Sequence, residues 1–568
     1  MASIQARKRG KRTYYYLIES RRVNGKPRPV VIKYLGTADT LRARLEEADR
    51  VGAPIKAEVS EFGAVAALWD LAARLDLVAT IDRHVPKRSQ GASIGQYLVL
   101  AAVNRCVAIT SKARFGEWYG GTVLPRMCQV PAKALDGQRF WDAMDKVPEG
   151  ATESVEAELS RRIVADFDLD LRTLCFDCTN FDTFIHSTNP AELPQRGHAK
   201  SKRTDLRIVG LALMVSADGA IPLFSELYPG NQPDSVTFES VTETLISRYH
   251  AVAGEDADVT LVFDKGNNSG RNLAALSESP YHAIGSLVPS QHKDLLSVPL
   301  RRFDASEDAR LGGVTTYRTK KVVQGTQWTV VVTRSDSLLD GQLRGIAQHI
   351  AKRKKRFFEL RKKLRKSQLP GANNGKGYTR ESLLAHAKKL CHGQYVKHIL
   401  DVEVREEGGE LSIFFRQKRG ALDRLARDVL GKRIVFTDNH EWSTDEIVLG
   451  YRSQHHVEAA FRQMKDRFHV SFEPVRHWTD QQIRVHAFVC VLALTLASVL
   501  RREMARAGMD MTVDALLEEL RGIHEIVNLY PAAGGGAGRP RAQRVLTRMS
   551  PLQEQLFERL DLGRFHRP

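Results

Sequence analysis

A chain of 568 residues is long enough for three or four domains of about 150 residues each, and a hydrophobic fraction of 42% supplies real cores, which excludes a disordered scaffold. Lys and Arg number 85 against 67 Asp and Glu, and the net charge of +18 selects a polyanionic partner, nucleic acid before an acidic membrane surface. The longest apolar run, Phe488 to Leu500, spans 13 residues, short of the ~20 that a membrane crossing needs; with no signal peptide or lipid anchor visible, a soluble intracellular protein is expected.

Residues 1–57 read as a basic β-ribbon that binds DNA. Tyr14–Ile18 and Val30–Tyr34 are β-rich runs with a turn signal at Asn24-Gly25, and ten Lys or Arg fall between Arg7 and Lys33 against Glu19 alone. The plainer alternative is a solvated hairpin whose charge serves solubility. Residues 58–150 turn helical: Phe62, Val65, Leu68, Trp69 and Leu75 recur at three- and four-residue steps, as do Ile94, Leu98, Ala101 and Ala102. That segment can hold DNA, a second protomer or only itself.

Residues 165–294 read as α/β. Strands are expected at Thr173–Phe176, Arg207–Val215, Ile221–Leu227, Val259–Phe263 and His282–Val288, with a turn at Asp218-Gly219 and a helix starting near Asn272. Three early strands, a later parallel one and an Asp at the first and fourth give the ordering of a ribonuclease-H-like fold, by analogy of fold. The overall expectation is an α+β multidomain chain. Its ribonuclease-H-like core is split by a large β-rich insertion at 295–440 and resumes at 441–530. A flexible linker and tail follow at 531–568, opening with Pro531 and a Gly-rich run. Within the insertion, Val314–Thr333 and His398–Arg416 are β-rich, and Lys352–Lys366 holds ten basic residues with Glu359 the only acid, a helix face suited to the DNA backbone.

Three carboxylates carry the chemistry. Asp177 ends the apolar Leu174-Cys175-Phe176, Asp264 ends Leu261-Val262-Phe263, and Glu458 lies in the helical stretch 451–465. Apolar residues running into an Asp and a polar turn are how a buried strand delivers a carboxylate to a sheet edge. Phosphodiester cleavage is served by two divalent ions, and Mg²⁺ needs only two or three carboxylates because it keeps waters; Mn²⁺ is the alternative. Three acids set close repel and raise one another's pKa, which makes the set a metal trap. Tyr451, Gln454, Glu458, Phe461, Arg462 and Lys465 fall on one helical stripe, so Arg462 or Lys465 would hold a phosphate beside Glu458. Alone, Glu458 and Arg462 would read as an ordinary i,i+4 surface pair. Cys175 and Cys178 bracket Asp177 but lack partners at zinc-ligand spacing and read as small apolar residues.

These segments resemble the DDE transposases of bacterial insertion sequences, in the group whose third motif reads Tyr-x2-Arg-x3-Glu-x6-Lys. Tyr451, Glu458 and Lys465 match that motif, whereas Gln454 stands at the Arg position with Arg452 two residues earlier, so that Arg452 or Arg462 would take over its phosphate contact. Asp177 falls in Asp-x-Thr and Asp264 in Asp-Lys-Gly. Further landmarks are Gly197-His198-Ala199-Lys200 with Arg203 and Asp205, Pro229-Gly230-Asn231, and Pro474 to Trp478 with His486. The resemblance covers about residues 1–530. It implies a bacterial recombinase at the nucleoid that cuts double-stranded DNA at its element's terminal inverted repeats, joins the freed 3′-OH to target DNA, and acts as at least a homodimer. Asp177, Asp264 and Glu458 would bind the metals. DNA contacts would come from Tyr451, Arg452, Arg462, Lys465, Lys265, His198, Lys200, Arg203 and Trp478.

Plainer readings stand beside several of these. His198 serves equally as a core or turn histidine, Lys265 as a turn lysine, and Trp478 reads more readily as buried core than as a base-stacking face. Two rival functions remain: a ribonuclease-H-like nuclease or resolvase that cuts without joining, and a DNA-binding regulator whose acids are structural. A nucleotide-driven motor lacks its G-x-x-x-x-G-K-[ST] loop.

Overall fold

The computed structural model describes residues 2–23, 26–49, 54–87, 91–254, 258–264, 266, 270–279, 281–369, 378–531 and 540–566. The chain divides into two compact units. One comprises Met1–Asp70, Thr110–Asp136 and Asp514–Pro568; the other comprises Leu71–Ile109 and Gly137–Val513.

The first unit opens with a three-stranded antiparallel sheet of β1 (Ala2–Arg9), β2 (Arg12–Val23) and β3 (Lys26–Thr37), followed by a helix at Ala38–Asp49 and by β4 (Lys56–Glu61). The two expected β-runs are thus the centres of longer strands, and β1 is an addition. Its signal is faint because only Ile4 and the alanines interrupt the polar residues. Arg9 pairs with Arg12 across a two-residue turn, and Gly10 supplies the positive φ of 59° such a turn needs. The Asn24-Gly25 turn signal lies outside the described residues.

The second unit is organised on a nine-stranded sheet. Its strands in chain order are β5 (Thr173–Thr183), β6 (Arg207–Ser216), β7 (Pro222–Pro229), β8 (Thr260–Val262), β9 (His282–Leu287), β10 (Asp304–Ala305), β11 (Val314–Val323) and β12 (Thr326–Ser335). A ribbon of β13 (Leu400–Glu407) and β14 (Glu410–Gln417) stands apart, and β15 (Lys432–Thr437) returns to the sheet. The spatial order is β10-β11-β12-β15-β9-β8-β5-β6-β7. β8 runs parallel to both β5 and β9, and the other pairings are antiparallel. Every expected strand between 173 and 288 is present, within one to three residues except at the far end of β5, which runs on to Thr183. The helix expected near Asn272 runs from Gly270 to Glu278.

β6 is buried at every position after Arg207, because helices cover the sheet. Ala151–Phe167, Asp234–Ala253 and Asp480–Arg506 pack on β7, and His455–Lys465 packs on β5 and β6. The apolar run at 488–500 becomes the middle of Asp480–Arg506. This helix is apolar and long enough to cross a membrane by composition, but 94% of that stretch is buried inside the protein. Thr479 caps its start by accepting from the Gln482 amide. Near its end, Arg502 is 4% exposed and is satisfied by the Asp218 carboxylate and by the Phe167 and Asp168 carbonyls.

Within 295–440, β10, β11, β12 and β15 extend the main sheet, whereas residues 336–430 build a core of their own. There the helix Asp336–Ser367 turns Phe357, Leu360 and Leu364 inward against Leu383, Ile399, Val404 and Ile413. Spacing of three and four accounts for that stripe, and the basic residues between occupy the remaining faces.

The first unit is completed by β16 (His524–Tyr530), which pairs with β4 on one side and with β17 (Arg541–Leu546) on the other. Sequence alone suggests only a tail for 541–546. Its partner β16 precedes it directly in the chain, but Arg541, Gln543 and Arg544 against Ala542, Val545 and Leu546 give no clean alternation for a strand to be read from. The amphipathic stretch near its end is the helix Pro551–Arg559, which buries Leu556. Residues 532–539 of the expected linker lie outside the described residues.

Candidate functional site: carboxylates on β5, after β8 and on the helix His455–Lys465

Asp177 stands in the middle of β5, half-buried between buried Phe176 and Cys178. Alternation along a strand puts Cys175, Asp177 and Thr179 on one face and Phe176 and Cys178 on the other. The two cysteines therefore point to opposite sides, and both are buried thiols outside any disulfide. β5 and β8 match Thr173 with Thr260 and Cys175 with Val262. The pairing ends there; carried on by two residues, the same register would set Asp177 level with Asp264, which lies beyond the end of β8. Asp264 follows the end of β8, directly after the buried Phe263, whose amide donates to the Ile284 carbonyl at 3.0 Å.

Glu458 lies on the helix His455–Lys465 and is exposed. That helix is tied to β5 at both ends. At its start, Cys175 Sγ donates to the Ser453 carbonyl at 3.1 Å and Gln454 Nε2 donates to the Phe176 carbonyl at 3.2 Å. At its end, Lys465 Nζ donates to Thr179 Oγ1 at 2.6 Å. Ser453 to Lys465 covers about 18 Å of helix and Cys175 to Thr179 about 13 Å of strand. The two elements run side by side with Asp177 and Glu458 both between the anchor points. Among the described residues, the three carboxylates do not form a group whose oxygens all lie within 4.8 Å of one another, and like charges repel.

The single stripe expected over 451–465 is divided. Tyr451 ends one helix, Thr444–Arg452, and Glu458 belongs to the next. Ser453 and Gln454 keep right-handed helical dihedrals, but the ladder tightens to three-residue bonds, Gln454 N to Tyr451 O and His456 N to Ser453 O. Tyr451 is buried, its hydroxyl donates to Ser286 Oγ at 2.9 Å, and the Arg433 guanidinium lies 5.3 Å from its ring centre. Burial pushes the Tyr451 phenol up. The Ser286 hydroxyl and Arg433 oppose the shift, and the nearby carboxylates of Asp264 and Glu458 reinforce it. Phe461 is buried and anchors its helix, while Arg462 is exposed. Arg452 is exposed and donates to the Arg310 carbonyl.

Lys465 reports on the opposite side of the site. Desolvation and the neighbouring Lys200 push its ammonium down, while Glu473, Asp177 and Asp182 pull it back. Lys200 Nζ itself donates to the Cys178 carbonyl at 2.5 Å, and its amide donates to Asn180 Oδ1. His198 is exposed on the same turn, whose backbone is held by Asn180 Nδ2 at the His198 carbonyl. Arg203 is exposed and paired in bidentate fashion with Asp205, whose carboxyl is held at about 2, chiefly by that guanidinium. Gly197 and Gly230 pack backbone to backbone: a Cβ on Gly197 would meet the Gly230 carbonyl oxygen at 2.0 Å, and one on Gly230 would meet the Ile208 carbonyl oxygen at 1.9 Å. Two landmarks 33 residues apart in sequence are thus one structural joint that carries His198 and Lys200 beside β5.

Val475 to Trp478 alternates inward and outward. Val475 and His477 are buried, whereas Arg476 is exposed and Trp478 is 58% exposed. The core reading of Trp478 is corrected: the strand-like period of two turns Val475 and His477 inward and leaves the indole outside. His486 stands behind, its Nε2 donating to the Phe472 carbonyl at 2.8 Å, with its ring 4.8 Å from that of His477. Lys265 lies outside the described residues. Thr179 is the Thr of the Asp-x-Thr motif, two residues past Asp177 on the same strand face, whereas Ser286 and Arg433 carried no signal in the sequence.

Asp177, Asp264 and Glu458 offer hard carboxylate oxygens and no thiolate or imidazole, which is the donor set of Mg²⁺ or Mn²⁺. Residues 2–61 match the IS1634 family transposase, N-terminal domain. No curated protein matches the chain. Among solved structures the chain is similar to a piggyBac transposase in a synaptic complex with hairpin DNA, at 8% identity and a TM-score of 0.36, over 80% of this chain and 79% of that one, a likeness too slight to bear on fold or function. The N-terminal match supports an insertion-sequence transposase.

Proposed function

We propose that this chain is a DDE transposase that cuts DNA at the terminal inverted repeats of its insertion sequence and joins the freed 3′ ends to target DNA. The observation that carries the reading is the parallel register of β5 and β8 as far as Cys175 and Val262, which carried on by two residues would level Asp177 with Asp264, together with the helix of Glu458 tied along β5 by Gln454 and Lys465. The run β7-β6-β5-β8-β9, antiparallel through its first three strands and parallel from β5 to β9, supports a ribonuclease-H-like core.

Asp177, Asp264 and Glu458 would hold two divalent ions. When bound, such ions supply an activated attacking hydroxyl and neutralise charge on the leaving oxygen. Lys465, fixed on Thr179 beside Asp177, would set its ammonium against a phosphate oxygen. Arg462, on the exposed side of the same helix, and Lys200 would flank it. Arg452, His198, Arg203 and Trp478 are proposed as outer DNA contacts, with the exposed indole of Trp478 able to stack on a base. Hydrolysis would break the bond between phosphorus and the 3′ oxygen at the element end. The freed 3′-OH would then attack a phosphodiester of target DNA, so that one phosphorus–oxygen bond forms as another breaks. Pairing two ends calls for at least a homodimer on DNA, in the bacterial cytoplasm at the nucleoid.

The test is cleavage and strand transfer on a labelled duplex ending in the element's terminal repeat, with Mg²⁺ or with EDTA. Metal-dependent nicks and joined products, lost in Asp177→Ala, Asp264→Ala and Glu458→Ala while binding persists, are expected. Nicks without joining would point to a nuclease, and binding without metal-dependent cutting to a regulator.

A further inference from the structure

The three-stranded sheet at the start of the chain has two faces that differ in chemistry. β1 pairs Arg7 with Tyr14, Gln5 with Tyr16 and Arg9 with Arg12, while β2 pairs Tyr16 with Tyr34. Paired residues share a face. One face therefore gathers Gln5, Arg7, Tyr14, Tyr16 and Tyr34 with the turn arginines, and the other carries Ala6, Tyr15 and Leu17.

The first face is organised rather than merely charged. Tyr34 is 51% exposed, and its ring lies 5.2 Å from that of Tyr16 and 6.2 Å from that of Tyr14. The Arg7 guanidinium stacks 5.1 Å above the Tyr16 ring. Arg7 Nε and Nη2 both donate to Gln5 Oε1, at 3.1 and 3.0 Å. A guanidinium held by a ring below and an amide beside it has lost much of its rotamer freedom before any ligand arrives. Two of its five N–H groups are committed to Gln5, and three remain.

We propose that this face enters the major groove of duplex DNA and that Gln5 and Arg7, braced on Tyr16, read base edges there. Gln5, Arg7, Tyr14 and Tyr16 all lie on β1 and β2, a two-stranded ribbon about 10 Å across. A major groove of about 12 Å admits such a ribbon, and a minor groove of about 6 Å is too narrow for it. Arg is the residue that pairs in bidentate fashion with guanine, and Gln5, its Oε1 committed to Arg7, keeps its Nε2 to donate to a base acceptor. Arg9, Lys11 and Arg12 at the β1–β2 turn lie where a strand inserted in a groove meets the phosphates, and all three are exposed. The inference rests on the DNA partner of the function proposed above, not on its carboxylate chemistry.

The experiment selects bound duplexes from a randomised library with the full-length chain in EDTA, then compares variants on the enriched duplex and on unselected duplex. Wild type should enrich a defined sequence. Arg7→Ala should weaken the enriched duplex by roughly 10- to 100-fold and flatten the preference at a guanine position, with unselected duplex weakened far less. Arg7→Lys keeps the charge and the strand but not the fork, and should behave like Arg7→Ala in preference; an unchanged thermal melting curve shows the sheet intact in both. Replacing guanine by 7-deazaguanine, which removes the major-groove N7 acceptor, should weaken wild type but not Arg7→Ala. Preference that survives Arg7→Ala and Gln5→Ala overturns the inference, as does displacement of the protein by distamycin from the minor groove. The Asp177→Ala chain should keep full preference. Preference with failed cleavage counts against the carboxylate reading alone, and cleavage without an Arg7-dependent preference counts against this one alone.

Discussion

The sheet around Asp177 and the sheet around Arg7 solve opposite problems. β5 and β6 are buried on nearly every residue, so a polar side chain there is conspicuous, held and costly to move. β1 to β3 leave most side chains in reach of water, and any one polar residue is cheap to replace. Register fixes the first site, since a slip of one residue would turn Asp177 into the core and Phe176 out of it. Chemistry of side chains fixes the second, where a guanidinium is aimed by a ring and an amide. The lesson is that exposure decides which perturbation is informative: geometry in the first region, charge in the second.

The largest effect that would break the contrast is on the carboxylates. Asp177→Asn, Asp264→Asn and Glu458→Gln keep shape and remove the charge that holds a metal. Each should lower metal-dependent cleavage by about 10³-fold or more, leave duplex affinity within about twofold, and keep the melting temperature, because removing one of several like charges relieves repulsion. Retained cleavage in any one of them would sink the triad.

The next effect tests geometry without touching chemistry. Gly230→Ala places a methyl 1.9 Å from the Ile208 carbonyl oxygen, and backbone rather than a flexible side chain must shift. A loss of about 1–3 kcal/mol in unfolding free energy is expected from overpacking, with reduced cleavage because the joint with Gly197 carries Lys200. Urea unfolding and a cleavage assay on the same preparation separate the two. Wild-type stability would show that the joint is soft.

Lys465 sharpens the contrast through pH. Its ammonium is held below the ordinary lysine value, by desolvation first and by Lys200 second. A lowered folded-state pKa means that the folded protein binds fewer protons than the unfolded chain between the two values, so this group adds stability as pH rises through that window. For function the sign is opposite. The charge proposed to meet phosphate would disappear at a lower pH than for a lysine without these neighbours, and cleavage should fall on the alkaline side below the usual lysine titration. Lys465→Arg should flatten that limb, while Lys465→Ala should cost about 10- to 100-fold in cleavage at neutral pH. A limb that persists unchanged in Lys465→Arg would assign it to another group.

How much of this was legible in sequence follows the same division. Apolar runs into Asp177 and Asp264 located β5 and β8, because a strand buried on both faces writes itself as continuous apolar residues. The Glu458 helix was legible from spacing, but its break at Ser453 was not, since Ser453 and Gln454 keep helical dihedrals and are set apart by a tightened local ladder and by tertiary bonds to β5. Trp478 was misjudged because an indole carries no mark of which side of an extended segment it occupies. β17 was invisible because its six residues, two arginines and a glutamine among them, show no clean alternation, although its partner β16 directly precedes it. In the first unit, the tyrosines and basic residues announced a nucleic-acid surface without saying which face of the sheet they share; that required the pairing of Gln5 with Tyr16.

The smallest effect concerns Lys8, which neighbours Arg7 on β1 and faces the other way. Lys8→Ala should change stability by no more than about 0.5 kcal/mol, since the side chain is exposed. If the Lys8 ammonium sits on a phosphate, removing it should reduce the dependence of log affinity on log salt by about 0.9 while weakening selected and unselected duplexes equally. Arg7→Ala on the same strand should instead separate the two duplexes. Adjacent residues of like charge would then differ in kind, one countable as a released ion and the other only as a base no longer read. If both variants shift the salt slope and neither changes the preference, the tyrosine face is an electrostatic surface alone. The distinction between the two regions would then reduce to burial against charge, with no base reading in the N-terminal sheet.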